Sequence, residues 1–167
     1  VQRIVYAADD SVIENVRSVY RASQSAARVM LRVGRGGSIV HMSSQMGHIG
    51  AARRTAYCMT KHAVEGMTKS MAVELAPSGI RVNSVAPTFI ETDLTRPMLS
   101  DAAFMESVLD SIPLGRVGQP QDVVGAVLFL ASTYTVYVVP SVRPVRVQDV
   151  AGGVAVHENP PVVVRAV

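Results

Sequence analysis

Two short apolar runs, Ser38-Ile39-Val40-His41-Met42 and Ile80-Arg81-Val82-Asn83-Ser84-Val85, read as buried strands, and between them lies a long stretch of helical period. That order constrains the chain more than any other feature, because strands joined through a helix are side-by-side parallel neighbours in the simplest arrangement. Upstream, Val12, Val16, Val19, Tyr20, Ala26, Ala27 and Met30 recur near helical period and predict a helix over 11–33, with Asp10 or Ser11 as its cap. Gly34-Arg35-Gly36-Gly37 stops it. These glycines follow a helix and open a strand, the reverse of a phosphate-cradling loop, so they read as a helix C-cap. The second helix is expected over 55–76, stopped by Pro77-Ser78-Gly79, and the second strand ends at Ala86-Pro87. A loop-rich segment, 88–100, leads to a short helix near 101–111 capped by Asp101, a connector over 113–118 and a final helix opened by Pro120. Val1-Gln2-Arg3-Ile4-Val5-Tyr6 reads as one further short strand. The rhythm is that of an α/β fold with a parallel sheet.

Composition limits what such a fold is for. The 167 residues are 49% hydrophobic and carry a formal net charge of +3 from arginines scattered along the chain, without the basic runs and interleaved aromatics of a nucleic-acid surface. Cys58 is the only cysteine, so no internal disulfide forms, and a cytoplasmic home is expected. No window is apolar for long enough to span a membrane, and the first residues lack the order of a signal peptide. The chain opens on Val1 rather than Met, which points to a fragment or a processed product. Beyond Ser132 the composition changes: residues 133–167 hold 13 Val and 4 Pro and no Leu, Ile or Met. This divides the chain into a 1–132 domain and a 133–167 Val/Pro-rich tail, in which the prolines limit strands to short edge pieces.

The chemistry concentrates between Ser44 and Lys61. Tyr57 and Lys61 are four apart, which on a helix places them on one face, and an ammonium near a phenol favours the phenolate, as proton transfer near neutral pH requires. Ser44 falls just past the end of the first strand, at the rim where open parallel sheets hold their ligands, with a hydroxyl able to hydrogen-bond a substrate carbonyl. Taken singly, a tyrosine on a helix is more often half-buried packing and a lysine solvated. His41, His48, His62 and His157 show no metal-ligand spacing, Glu91 and Asp93 have no support as a carboxylate pair, and Cys58 reads as packing.

In combination these residues carry a resemblance. Gly36-Gly37-Ser38-Ile39-Val40-His41-Met42-Ser43-Ser44, Tyr57-x-x-x-Lys61 thirteen residues after Ser44, and Arg81-Val82-Asn83-Ser84-Val85-Ala86-Pro87 together resemble the short-chain dehydrogenase/reductase family, of the 3-oxoacyl-ACP reductase and sugar-alcohol dehydrogenase type. Upstream, Asn15-Val16-Arg17-Ser18-Val19-Tyr20 fits the same pattern, as does the stretch from Ile112 to Ser132 downstream. The resemblance implies a partial Rossmann-like, doubly wound parallel sheet that lacks the N-terminal βαβ units. It implies Tyr57 as general acid/base, Lys61 lowering the tyrosine's pKa and bonding the nicotinamide ribose, Ser44 polarising the substrate carbonyl, and Asn15 holding a water that links the lysine to solvent. Pro87, Ile90 and Thr92 fall where the family contacts the nicotinamide end of NAD or NADP, and 89–114 where it covers an alcohol or carbonyl substrate. Met98, Leu99, Phe104 and Met105 there suit either a lid or plain packing. The family's pairing surfaces correspond to 11–33 and 55–76, so a homo-oligomer, dimer or tetramer, is implied, with no nucleic-acid or membrane partner.

Four departures accompany the match. The Gly-rich turn that receives the cofactor pyrophosphate is not found, nor the later Asn-Asn-Ala-Gly turn, nor the family's closing Val-Asp-Gly-Gly strand, and Pro87-Thr88 replaces the usual Pro-Gly. Two functions are therefore expected in competition: an NAD(P)-dependent oxidoreductase, and a catalytically silent fragment of that family acting only through subunit association.

Overall fold

A computed structural model describes residues 10–132 together with the backbone of the strands 147–150 and 153–156, so the expected strand at the N-terminus and most of the tail lie outside the described residues. Internal packing divides the chain into two compact units, Val1–Ser84 and Val85–Arg165.

The first unit holds helix α1 (Asp10–Val33), strand β1 (Gly37–Met42), helix α2 (Thr55–Leu75) and strand β2 (Ile80–Val85). α1 ends where its sequence says it should: Gly34 takes φ 69°, and its N–H bonds Met30 O at 2.9 Å, closing the last turn. α2 stops at Leu75 and tightens into a 3₁₀ turn over Ala76–Ser78, since Pro77 has no N–H to continue the α-helical ladder. Gly79, at φ 69°, then redirects the chain. The strands are neighbours, and Gly37 N–H donates to Gly79 O at 3.3 Å, so they start from the same end and run parallel across the α2 crossover.

Alternation along the strands sorts the core. Ile39 from β1 and Ile80 and Val82 from β2 pack with Ala26, Ala27 and Met30 of α1 and Met71, Ala72 and Leu75 of α2. Each of the three β-branched side chains gains roughly 1.5–3 kcal/mol by this burial. Further along the same strand faces the residues turn polar: His41 on β1 and Ser43 just past its end, Ser84 on β2. His41 and Ser43 are each 4% exposed. The face thus passes from hydrocarbon to hydrogen-bonding groups toward the C-terminal ends of the strands.

The second unit contains the short helix α3 (Arg96–Leu99), α4 (Ala102–Leu109), α5 (Pro120–Ser132) and the strands β3 (Val147–Val150) and β4 (Gly153–Val156). Val85, the last residue of β2, pairs parallel with Val147, and β3 pairs antiparallel with β4. Asp101 caps α4 as expected, accepting from Phe104 N–H at 2.8 Å. The segment read as loop over 88–100 contains α3, whose entry is built by side chains: Thr95 Oγ1 donates to Ile90 O at 2.6 Å and accepts from Thr92 N–H at 2.8 Å. Val108 and Ile112 form this unit's core with Phe89, Phe104 and Val117, and Phe89 meets Phe104 edge to face at 5.8 Å. Leu99 is buried too, so of the four residues expected as lid or packing, Leu99 and Phe104 pack.

Candidate active site

The chain leaves β1 at Met42 and turns at once. Ser44 is extended (φ −161°) and caps a 3₁₀ turn, Gln45–Gly47, that the sequence did not disclose. Its Oγ accepts the Met46 N–H at 3.2 Å, which leaves its own O–H to give to a substrate oxygen. The turn lies tight on α2: a Cβ added to Gly47 would stand 2.8 Å from Ser43 Oγ, 3.0 Å from Glu65 Cγ and 3.0 Å from Lys61 O.

Tyr57 and Lys61 stand one turn apart on α2, and the Lys61 ammonium is 5.7 Å from the centroid of the Tyr57 ring, within cation–π range. Lys61 Nζ donates to Met42 O at 2.9 Å, tying α2 to the end of β1, and burial lowers its pKa. That one bond leaves two ammonium protons for other acceptors. Tyr57 is 41% exposed.

Between α1 and α2 a cavity of about 140 Å³ is lined by Asn15, Val16, Ser18 and Val19 from the first helix and Tyr57, Thr60, Lys61 and Val64 from the second. Three of the four residues singled out as catalytic, Asn15, Tyr57 and Lys61, therefore meet in one cavity; Ser44 is not among its lining residues. The additional lining residues have a legible signal: Tyr57, Thr60, Lys61 and Val64 follow the i, i+3, i+4, i+7 spacing of one helix face. Of the positions expected to contact nicotinamide, Pro87 is buried, Ile90 bridges to Gly118, and Thr92 Oγ1 lies 3.1 Å from Thr95 Oγ1. These three belong to the second unit.

The family model for enoyl-(acyl carrier protein) reductases matches residues 7–145. The chain belongs to the short-chain dehydrogenase/reductase family. Among members of this family, it is 40% identical over 130 residues to a 3-oxoacyl-[acyl-carrier-protein] reductase of Vibrio harveyi, covering 78% of this chain and 52% of that one. It is 41% identical over 137 residues to an L-xylulose reductase of Bos taurus, covering 82% and 56%. Among solved structures, a gluconate 5-dehydrogenase of Burkholderia cenocepacia in complex with NADP and tartrate superimposes with a TM-score of 0.66 at 37% identity, over 68% of this chain and 44% of that one. The α/β arrangement is thus part of a short-chain dehydrogenase/reductase Rossmann fold. The chain spans about half the length of the curated relatives it matches.

Proposed function

We propose that this chain carries the acid/base half of an NAD(P)-dependent oxidoreductase that interconverts an alcohol and a carbonyl. The observation that carries the reading is the cavity shared by Asn15, Tyr57 and Lys61, with the lysine ammonium over the tyrosine ring. The residues fit a nicotinamide nucleotide at its reactive end: a phenol on an exposed tyrosine, a lysine with two uncommitted protons and a serine hydroxyl able to donate are what a ribose and a reacting carbonyl ask for. When bound, the nicotinamide supplies or receives the hydride.

The protein's own part is proton handling and orientation. In the reductive direction, Tyr57 gives its phenolic proton to the carbonyl oxygen as charge develops there, and the Lys61 ammonium stabilises the phenolate left behind. Ser44 donates its hydroxyl proton as a hydrogen bond to the same oxygen, fixing the carbonyl. Asn15, at the solvent side of the cavity, holds a water that returns a proton toward Lys61 and Tyr57. Pro87, Ile90 and Thr92 bind the nicotinamide end. Residues 1–132 act as one incomplete Rossmann-like domain and 133–167 as a divergent tail, in a cytoplasmic homo-oligomer paired through α1 and α2. The names of the relatives, a 3-oxoacyl-[acyl-carrier-protein] reductase and an L-xylulose reductase, favour a ketone as the carbonyl substrate. Among the described residues, no helix is long and apolar enough to cross a membrane.

The competing reading, a silent fragment acting through subunit association, draws on the short span of the relatives covered and on the apolar side chains α1 leaves exposed at Val29, Leu31 and Val33. A fluorescence titration with NADH and with NADPH separates the two. Saturable binding in the micromolar range supports the oxidoreductase, and the absence of saturation with both nucleotides supports the silent fragment.

A further inference from the structure

The polar end of the α1–β1–β2–α2 core holds a carboxylate that the proton chemistry above does not use. Glu65 lies on α2 one turn beyond Lys61 and is 4% exposed. Its Oε2 accepts from Ser84 Oγ of β2 at 3.1 Å. Its Oε1 stands 3.3 Å from His48 Nε2, a contact between nearly buried side chains that is an ion pair when the histidine is protonated and is not aligned as a hydrogen bond. His48 closes the turn that Ser44 opens, its N–H bonding Gln45 O at 2.9 Å. Directly before His48, a Cβ added to Gly47 would stand 3.0 Å from Glu65 Cγ and 3.0 Å from Lys61 O, tighter than ordinary packing.

Glu65 therefore contacts β2, the Ser44 turn and, through its own helix, the segment carrying Tyr57 and Lys61. A carboxylate taken this far from water is tolerated only where a cation or good donors compensate it, and an apolar residue of equal volume serves packing better. The titratable groups facing it are His48 from the turn and His41 from β1, whose pKa burial lowers and the charge of Glu65 raises in part; Lys61 on the same helix points its ammonium to Met42 O. Ser84 from β2 is neutral. Of these, His48 alone belongs to the segment that has to be held in register with α2.

We propose that the Glu65–His48 ion pair is a clasp that fixes the Ser44 turn against the helix bearing Tyr57 and Lys61, making Glu65 and His48 positioning residues of the site. The catalytic meaning of the clasp rests on the oxidoreductase reading; the clasp itself does not. Glu65→Gln keeps the shape and the acceptor for Ser84 but removes the charge, His48→Gln removes the cation, and His48→Lys restores one.

The deciding measurement is backbone hydrogen exchange in the whole chain, which needs no turnover. Glu65→Gln and His48→Gln are each expected to speed exchange at the Gly47 and His48 amides by on the order of tenfold, with the α1 amides of Ala27 and Met30 within about twofold of the native protein. The double variant is expected to be no faster than either single one, and His48→Lys to return near the native rate. The clasp is refuted if the turn amides keep their protection, if every amide in the unit loosens alike, or if the two single effects add in the double variant. Should Glu65→Gln fail to fold, the contrast between His48→Gln and His48→Lys decides alone. In a nicotinamide-linked assay the same variants lower kcat and leave KM for the nucleotide unchanged. A chain that shows the coupled exchange yet oxidises no reduced nicotinamide keeps the clasp and loses the oxidoreductase reading.

Discussion

His41 shows how a single buried side chain ties the first unit together. Its Nε2 lies 2.8 Å from Ser23 Oγ of α1 and its Nδ1 2.8 Å from Thr68 Oγ1 of α2. Each hydroxyl also donates to the carbonyl four residues back, Ser23 to Val19 O and Thr68 to Val64 O, both at 2.7 Å. A hydroxyl has one proton, so a neutral ring, which needs a donor at one nitrogen, takes that proton from one of the two helices. Burial lowers the His41 pKa from 6.5, partly offset by the charge of Glu65. A histidine whose folded pKa lies below its unfolded one gives up proton affinity on folding, so its effect on stability is absent well above 6.5 and grows unfavourable as pH falls through that value. His41→Phe is expected to flatten the loss of stability on mild acidification, while Ser23 and Thr68 keep their helix carbonyls. Urea unfolding of both proteins on either side of pH 6.5 checks this, and an unchanged slope in the variant contradicts it. In the sequence, His41 was visible only as a strand residue without metal-ligand partners. Its real neighbours are 18 and 27 residues away, beyond the reach of any local pattern.

At the scale of elements, the long helices and both core strands were legible because each has a strong period and a physical stop: Gly34 for α1, Pro77 for α2, Ala86-Pro87 for β2. The 3₁₀ turn Gln45–Gly47 and α3 were not. Each is a few residues long and is held by side-chain hydroxyls, from Ser44 and from Thr92 and Thr95, that single-sequence periodicity does not weigh. The turn's dependence on glycine is testable. Gly47→Ala places a methyl against Ser43 Oγ, Glu65 Cγ and Lys61 O and is expected to cost about 1–3 kcal/mol in chemical denaturation, with a cost near zero contradicting the close packing. α5 is anchored differently. Asp122 in its first turn accepts Gln119 N–H at 2.7 Å and receives both arms of Arg116, at 2.8 and 3.0 Å. The Arg116 side-chain bonds, then the Gln119 amide, lower its pKa from 3.8 to about 2. A depressed carboxylate stabilises fully above its unfolded pKa and loses that contribution as pH falls through the folded one. Asp122→Asn is therefore expected to lower the unfolding midpoint near neutral pH, with the gap to the native protein closing between 3.8 and about 2. A gap independent of pH excludes the charge as its source.

For the whole molecule, the family was readable because Ser44, Tyr57, Lys61 and Asn15 keep family spacing, and helix geometry turns the Tyr57–Lys61 spacing into a shared face. The meeting of Asn15 with that pair was not derivable from spacing: it needs α1 laid against α2 over the same face of β1 and β2, which depends on the Ile39, Ile80 and Val82 core. Substrate choice stayed unreadable, since it is set by how loops such as 88–100 sit over a ligand rather than by any motif. The described part leaves apolar surface at Met42, the last residue of β1, and at Val124, Leu128 and Phe129 along α5, as expected of a Rossmann sheet that spans about half the length of its relatives. The central claim is that Tyr57 is the group that moves the proton. It is tested most directly by following carbonyl-dependent oxidation of NADH and NADPH by the native chain and by Tyr57→Phe over a panel of small polar ketones and aldehydes. The account predicts measurable oxidation by the native chain and a loss of at least about a hundredfold in the variant, with circular dichroism unchanged. Equal rates in the two proteins, or no oxidation by the native chain with any carbonyl, would contradict it.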